Sequence, residues 1–140
     1  MATTTSRKVF INLAVEDLQR SVEFFTALGF EFDPQFTDEQ ATCMILSDEA
    51  FVMLLVKSRF KGFIKKDIAD STTQTEVILA LSAHSRTEVD ELVEKALAAG
   101  GSPANDKVEM GFMYGWSFQD PDGHLWEVAN LDDPDAVESP

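Results

Sequence analysis

Among the side chains of this 140-residue chain that could carry chemistry, Glu127 is the most pointed. It lies in His124-Leu-Trp-Glu-Val-Ala-Asn130, an otherwise apolar stretch of strand length. Strand alternation puts it on one face with Leu125 and Ala129, and Trp126 and Val128 on the other. A carboxylate in such surroundings is hydrated, paired or functional, because an isolated buried charge is expensive. It therefore reads either as a catalytic acid or base or as a group hydrogen-bonded inside a cavity. His124 is three residues away, so the two side chains point to opposite faces and a shared metal site would require a bulge. His124 is expected to be a surface histidine beside a turn. His84 has no acidic or cysteine partner at ligand spacing and reads as a loop residue. Cys43, in Ala41-Thr-Cys-Met-Ile45, reads as a small buried thiol, since no adjacent base or cation would lower its pKa.

Two neighbouring segments decide what accompanies Glu127. Asp120-Pro-Asp-Gly123 fits a type I turn closed by a left-handed glycine. A three-residue hairpin loop at that point sets Ser117 opposite Glu127. Ser117 and Met113 then share the face of Glu127, while Trp116 and Phe118 belong to the core. In Val9-Phe-Ile-Asn-Leu-Ala-Val15 the aliphatic face of Val9, Ile11, Leu13 and Val15 suits a helix-covered core, which leaves Asn12 beside Phe10 and Ala14 on the opposite, cavity side. The stretch Lys57-Ser-Arg-Phe-Lys-Gly-Phe-Ile-Lys-Lys66 is the one place where cations cluster. It reads as a solvated loop, with attraction of an anion, or gating by Phe60 and Phe63, as the alternative.

The elements that must position these residues occur twice. A strand at Val9 to Val15 precedes a helix with Leu18, Val22, Phe25 and Leu28 at helical spacing, Asp17 as N-cap and Gly29 as stop. Short apolar runs follow at Phe30 to Phe36, Ala41 to Leu46 and Phe51 to Val56. The second half opens with a strand at Glu76 to Ser82. Its helix runs from Ser85 to Ala99, with Val89, Leu92, Val93, Ala96 and Leu97 on one stripe. Ser85 and Glu88 have capping-box spacing, and Gly100-Gly101 ends the helix. Strands are expected near Ser102–Glu109, Phe112–Gln119 and His124–Asn130. The expectation is an α+β fold in which two tandem βαβββ units, residues 7–57 and 75–131, form a curved mixed sheet around a cavity with the helices outside, all within a single domain, 1–140.

Composition narrows the function. The chain has 25 acidic and 11 basic side chains, a formal charge of -14 and one cysteine. Residues 1–70 hold 11 acidic and 8 basic groups, and residues 71–140 hold 14 and 3. Such a surface disfavours nucleic acid, which is bound through Lys and Arg clusters. There is no apolar run of the roughly 20 residues a membrane span needs and no signal-like start, so no membrane association is expected and a cytoplasmic location is. The acidic, proline-punctuated tail Asp132 to Pro140 is expected to fray.

The repeated order, the stretch Val15-Glu-Asp-Leu-Gln-Arg-Ser21 with Phe24-Phe25 before Leu28-Gly-Phe30, and Asp120-Pro-Asp-Gly-His-Leu-Trp-Glu127 together resemble the vicinal-oxygen-chelate superfamily of glyoxalase I, bleomycin- and fosfomycin-resistance proteins and extradiol dioxygenases. The resemblance covers residues 7–131. It implies a cavity in which the enzymatic members hold a divalent metal with four strand residues, usually His or Glu. Those four positions fall here on Phe10, Met53, Ile78 and Glu127. Three offer hard metals nothing useful, so a divalent ion is expected to bind at most weakly and no cofactor is expected. The resemblance then implies a protein that binds a small, partly apolar organic molecule in contact with Phe10, Asn12, Met53, Ile78, Met113 and Ser117, and transforms it, if at all, with Glu127 as acid or base. It implies a homodimer as well. The alternatives are a lactoylglutathione-lyase-like or dioxygenase-type enzyme with an atypical metal site around Glu127, and a dimerising or regulatory module without ligand chemistry.

Overall fold

A computed structural model describes residues 5–131; the tail expected to fray lies outside them. The chain divides into two compact units, residues 1–68 and 69–140, each opening with a strand and a helix and continuing with strands.

In the first unit, β1 (Val9–Val15) leads into α1 (Leu18–Ala27), then β2 (Glu31–Asp33), a 3-10 turn at Pro34–Phe36, β3 (Ala41–Ile45), β4 (Ala50–Val56) and a short helix α2 (Lys57–Lys61). The sheet order is β1-β4-β3-β2, with β1 parallel to β4 and the other pairs antiparallel. The parallel pair needs a crossover, and α1 supplies it. Asp17 caps α1 by accepting from the Arg20 N–H at 3.1 Å, and Gly29, at φ +102°, ends it in the left-handed region that glycine adopts without strain. Phe24 and Phe25 of the helix and Leu28 at its C-cap are buried with Leu13, Val15, Met44, Val52 and Leu54 of the sheet. The other sheet face carries Phe10, Asn12, Ala14, Cys43, Met53 and Leu55 by alternation.

The second unit runs β5 (Ile78–Ser82), α3 (Arg86–Ala98), β6 (Ser102–Pro103), β7 (Val108–Glu109), β8 (Met113–Gln119) and β9 (Leu125–Leu131). Its order is β5-β9-β8-β6, β7 also pairs with β8, and β5 is parallel to β9. Val89, Val93 and Ala96 of α3 are buried with Leu79, Phe118, Trp126 and Val128. The Phe118 and Trp126 rings stack with centroids 6.3 Å apart. Ser85 caps α3 through the Glu88 N–H at 3.0 Å. The return bond of the expected capping box lands one residue early, on the His84 N–H, at 2.9 Å.

Three expectations are corrected. The single strand near Ser102–Glu109 is two short pieces. Pro103 has no N–H for a ladder, and the Asn105 N–H turns inward to the Ser117 hydroxyl at 2.8 Å, so the intervening residues bulge. The basic stretch begins as α2 rather than as a loop. His124 is buried at 2% exposure, on the Trp126 side of β9, where its Nδ1 lies 3.0 Å from Glu76 Oε2.

Candidate functional site

The Asp120–His124 hairpin fixes everything around Glu127. The Gly123 N–H returns to the Asp120 carbonyl at 2.9 Å, and Gly123 takes φ +89° as a left-handed closing residue. Asp120 Oδ1 accepts from the Asp122 and His124 N–H groups at 3.0 Å each, and Oδ2 from Trp126 Nε1 at 3.0 Å. Burial pushes the Asp120 carboxyl above its ordinary range, against the opposing pull of His124 and of these donors. A loop held this tightly leaves one register, and it sets Ser117 opposite Glu127.

On the face turned away from α3, Glu127 stands over small neighbours: Ala80 across β5, Ser117 across β8, with Gly115 and Ala129 beside it. The carboxylate is half-buried and makes no hydrogen bond or ion pair among the described residues. A hollow of about 110 Å³ brings Glu127 together with Met113, Ser117, Asn105 and Asp106. At roughly 30 Å³ per water this holds a few waters or one small polar group. The Ser117 hydroxyl is engaged with the Asn105 backbone, accepting from its N–H and reaching its carbonyl at 3.3 Å. A more polar hollow of about 240 Å³, with Ser71, Thr72, Thr73, Gln119 and Leu125, shares Asn105 with the first.

In the first unit the equivalent centre is Met53, with Asn12 across β1 and Cys43 across β3. Met53 therefore holds in its sheet the place Glu127 holds in its own. One step earlier along the strands, Phe10 stands opposite Phe51 as Ile78 stands opposite Leu125. The repeat inferred from the sequence is thus a repeat of register. Phe10 is half exposed and stacks on Phe51 at 5.0 Å between centroids, while Ile78 is 54% exposed and lines none of these hollows. Asn12 and Met53 come together in a hollow of about 300 Å³ with Gln35, Phe36, Arg59 and Phe63. Asn12 Nδ2 makes a long bond to the Phe10 carbonyl at 3.3 Å. Cys43 is buried, and burial, followed by the Asp33 charge, pushes its thiol upward. A wider hollow of about 660 Å³ lies between α1 and the β2–β3 region; it shares Thr37 and Asp38 with the 300 Å³ hollow but includes neither Asn12 nor Met53.

Gln35, Phe36 and Asn105 were not anticipated as neighbours of the site, and Arg59 only as part of a cation run. The run itself, five cations without an acid directly after β4, was the available signal.

The metal that the sequence resemblance implies finds no matching donor set among the described residues. The two positions that the resemblance assigns to ligands in the first unit, Phe10 and Met53, are an aromatic ring and a thioether, and those in the second, Ile78 and Glu127, an isoleucine and one carboxylate. Among the described residues no three His, Cys, Asp or Glu side chains converge as metal ligands. No helix among them is long and apolar enough to cross a membrane.

The fold and these positions define a glyoxalase-type protein with two βαβββ units. The chain belongs to the Glyoxalase/Bleomycin resistance protein/Dioxygenase superfamily, whose family model matches residues 9–128. Among solved structures it is similar to the hypothetical protein SA1046 from S. aureus, at 26% identity over 91% of this chain and 96% of that one, with a TM-score of 0.77. It is also similar in fold to lactoylglutathione lyase from Agrobacterium tumefaciens, at 19% identity over 91% and 95% and a TM-score of 0.66. The fosfomycin resistance protein FosX from Listeria monocytogenes, solved as a mutant with Mn(II) and a dihydroxypropylphosphonic acid, shares 19% identity over 99% and 98%, with a TM-score of 0.65. No curated protein matches the chain.

Proposed function

We propose that this superfamily member binds a small, partly apolar organic molecule without the metal its enzymatic relatives use, with Glu127 as the group that accepts a proton or orients a polar atom of that molecule. The observation that carries this reading is the pair of registers. The registers put Phe10 and Met53 in one sheet where Ile78 and Glu127 stand in the other, and of these four positions, the ones the resemblance assigns to metal ligands, one carboxylate is all that could serve. A single carboxylate with waters holds a divalent ion weakly, because affinity grows with the number and charge of the ligands. Glu127 itself is a half-buried carboxylate without a partner among the described residues, flanked across the strands by the small side chains of Ala80 and Ser117, which leaves its oxygens open to a ligand.

Metal analysis of protein purified without chelator tests this. Sub-stoichiometric metal, unchanged in Glu127→Ala, is the expected result. Near-stoichiometric zinc, nickel, manganese or iron that disappears in Glu127→Ala would instead establish a metal-dependent lyase or dioxygenase built on an atypical site. A thermal-shift screen over metabolites supplies the positive side, since a ligand that binds only the folded state raises Tm by mass action. The protein is proposed to act as a homodimer, and a monomer mass by light scattering at micromolar concentration would overturn that part.

A further inference from the structure

The hollow in the first unit differs in chemistry from the one around Glu127. Its floor is apolar, formed by Ala41, Met53 and Leu55, and two large rings stand at it, Phe36 at 53% and Phe63 at 72% exposure. Together at one hollow the two rings offer a ligand a large apolar area and a π face each. The cavity volume, about 300 Å³, lies at the lower end of small-molecule sites and suits a one-ring molecule.

Charge completes the description. In a chain of formal charge -14, the cations beside this hollow have different fates. Lys57 pairs with Glu16 at 3.0 Å, and Lys61 lies 3.8 Å from Asp67 while bonding the Lys66 carbonyl. Arg59 is the cation that lines the hollow, and Asp38 is the acid that lines it. Its Nη1 donates to Gln40 Oε1 at 2.8 Å, which aims the guanidinium. Its Nη2 stays 3.8 Å from Asp38 Oδ2, beyond hydrogen-bond length. Asp38 is held in place by its own turn, because Oδ1 accepts from the Gln40 and Ala41 N–H groups at 2.8 and 3.0 Å. The guanidinium is thus oriented but not saturated, with N–H donors left for a planar anion, the partner its fork fits best. Asn12 and Gln35 add amide groups on the same wall.

We propose that this hollow binds a small aromatic carboxylate, its ring against Phe36, Phe63 and the Met53–Leu55 floor and its carboxylate on Arg59. The proposal rests on the small-molecule reading above and specifies the ligand class and the residue that selects it.

The test is a thermal-shift and calorimetric comparison of phenylacetate with phenylacetamide and benzylamine on the full chain. Phenylacetate is expected to raise Tm and bind, the amide to bind at least about tenfold more weakly, and the amine not at all. Arg59→Ala is expected to abolish phenylacetate binding, and Arg59→Lys to weaken it by about tenfold through loss of the fork. Asp38→Asn keeps an Oδ1 acceptor for the turn but removes the competing charge, so it is expected to tighten phenylacetate binding. A purely structural role for the Arg59–Asp38 pair would not produce that gain. Phenylacetate binding no better than the amide, or undiminished in a folded Arg59→Ala protein, overturns the proposal, as does an Asp38→Asn protein that binds more weakly. If the carboxylates fail while another metabolite raises Tm, the small-molecule reading stands and this assignment alone falls.

Discussion

The Trp126 indole N–H donates to Asp120 Oδ2 at 3.0 Å, and both residues are buried in the second unit. The same carboxylate accepts two backbone N–H groups through Oδ1. One acid thereby closes the hairpin, ties it to the largest core ring and fixes the register that puts Glu127 opposite Ser117. Placing a charge there has a thermodynamic consequence. Burial raises the Asp120 pKa above its ordinary 3.8, the interactions with His124, Trp126 and the amides opposing it only in part.

A raised folded-state pKa means that the folded protein holds this proton to higher pH than the unfolded chain does. Its contribution to stability is therefore greatest below about pH 3.8, declines as pH rises through the folded pKa and is flat above it. Asp120→Asn removes that decline. The amide oxygen can still accept the two backbone N–H groups, but its NH₂ must then face the Trp126 N–H, so a net loss of about 1–3 kcal/mol is expected at neutral pH. Urea unfolding of both proteins from about pH 4 to pH 7 checks this, with the gap between them widest at the acid end. A gap independent of pH would show that Asp120 does not titrate in this way.

Two glycines in the left-handed region separate backbone strain from steric fit. Alanine at Gly29 would be strained at φ +102° but would meet nothing within 4 Å. At Gly123, with φ +89°, a Cβ would fall 2.4 Å from the Ser71 carbonyl oxygen, so the backbone at residues 71–72 must move and its 2.6 Å bond from Ser71 Oγ to the Asp122 carbonyl is lost. Gly29→Ala is expected to lose about 1–2 kcal/mol, and Gly123→Ala distinctly more. Denaturation midpoints at unchanged slope measure both, and equal losses would deny the close approach of Ser71.

What could be read in advance was local. Asp17 and Ser85 cap their helices because a short polar acceptor before an apolar stripe has few other uses, and Gly29 and Gly100 stop them for want of a Cβ. Asp120-Pro-Asp-Gly123 gave the strand register, since a turn of fixed length leaves little freedom on either side. Two of the misses, the burial of His124 and the break in the strand after α3, involve partners distant in sequence, whereas α2 is a local miss. Burial of His124 depends on the segment carrying Glu76, and the break between β6 and β7 on a hydroxyl from Ser117, twelve residues beyond Asn105. Arg59 was visible as a charge but not as a cavity residue, because Gln40 and Asp38, which aim it, lie on the far side of β3 and β4 in the chain. Nothing in the periodicity of a strand reports such contacts.

Cys43 is expected to be inert in the folded protein. It is 1% exposed, and burial together with Asp33, its cross-strand neighbour, disfavours the thiolate that alkylating agents attack. Iodoacetamide labelling at pH about 8 should be slow for native protein and fast once urea unfolds it. Labelling at equal rates in both states would mean that the first unit opens readily around β3.

Glu127 offers the sharpest division between a structural and a functional carboxylate. A group kept for structure leaves orphaned donors when it is removed, and the loss then reaches about 1–3 kcal/mol. Glu127 has no such donors among the described residues, and its neighbours across the strands are Ala80 and Ser117, the latter already engaged with Asn105. Glu127→Gln is therefore expected to change stability by no more than about 0.5 kcal/mol. Glu127→Leu, which removes a half-buried charge from a face shared with Leu125 and Ala129, is expected to raise it by up to about 1 kcal/mol. Both variants should at the same time weaken the Tm rise produced by any ligand that a metabolite screen identifies at this face. Stability gained as binding is lost marks a residue retained for what it contacts; a loss of about 2 kcal/mol or more in Glu127→Gln would make it part of the scaffold instead.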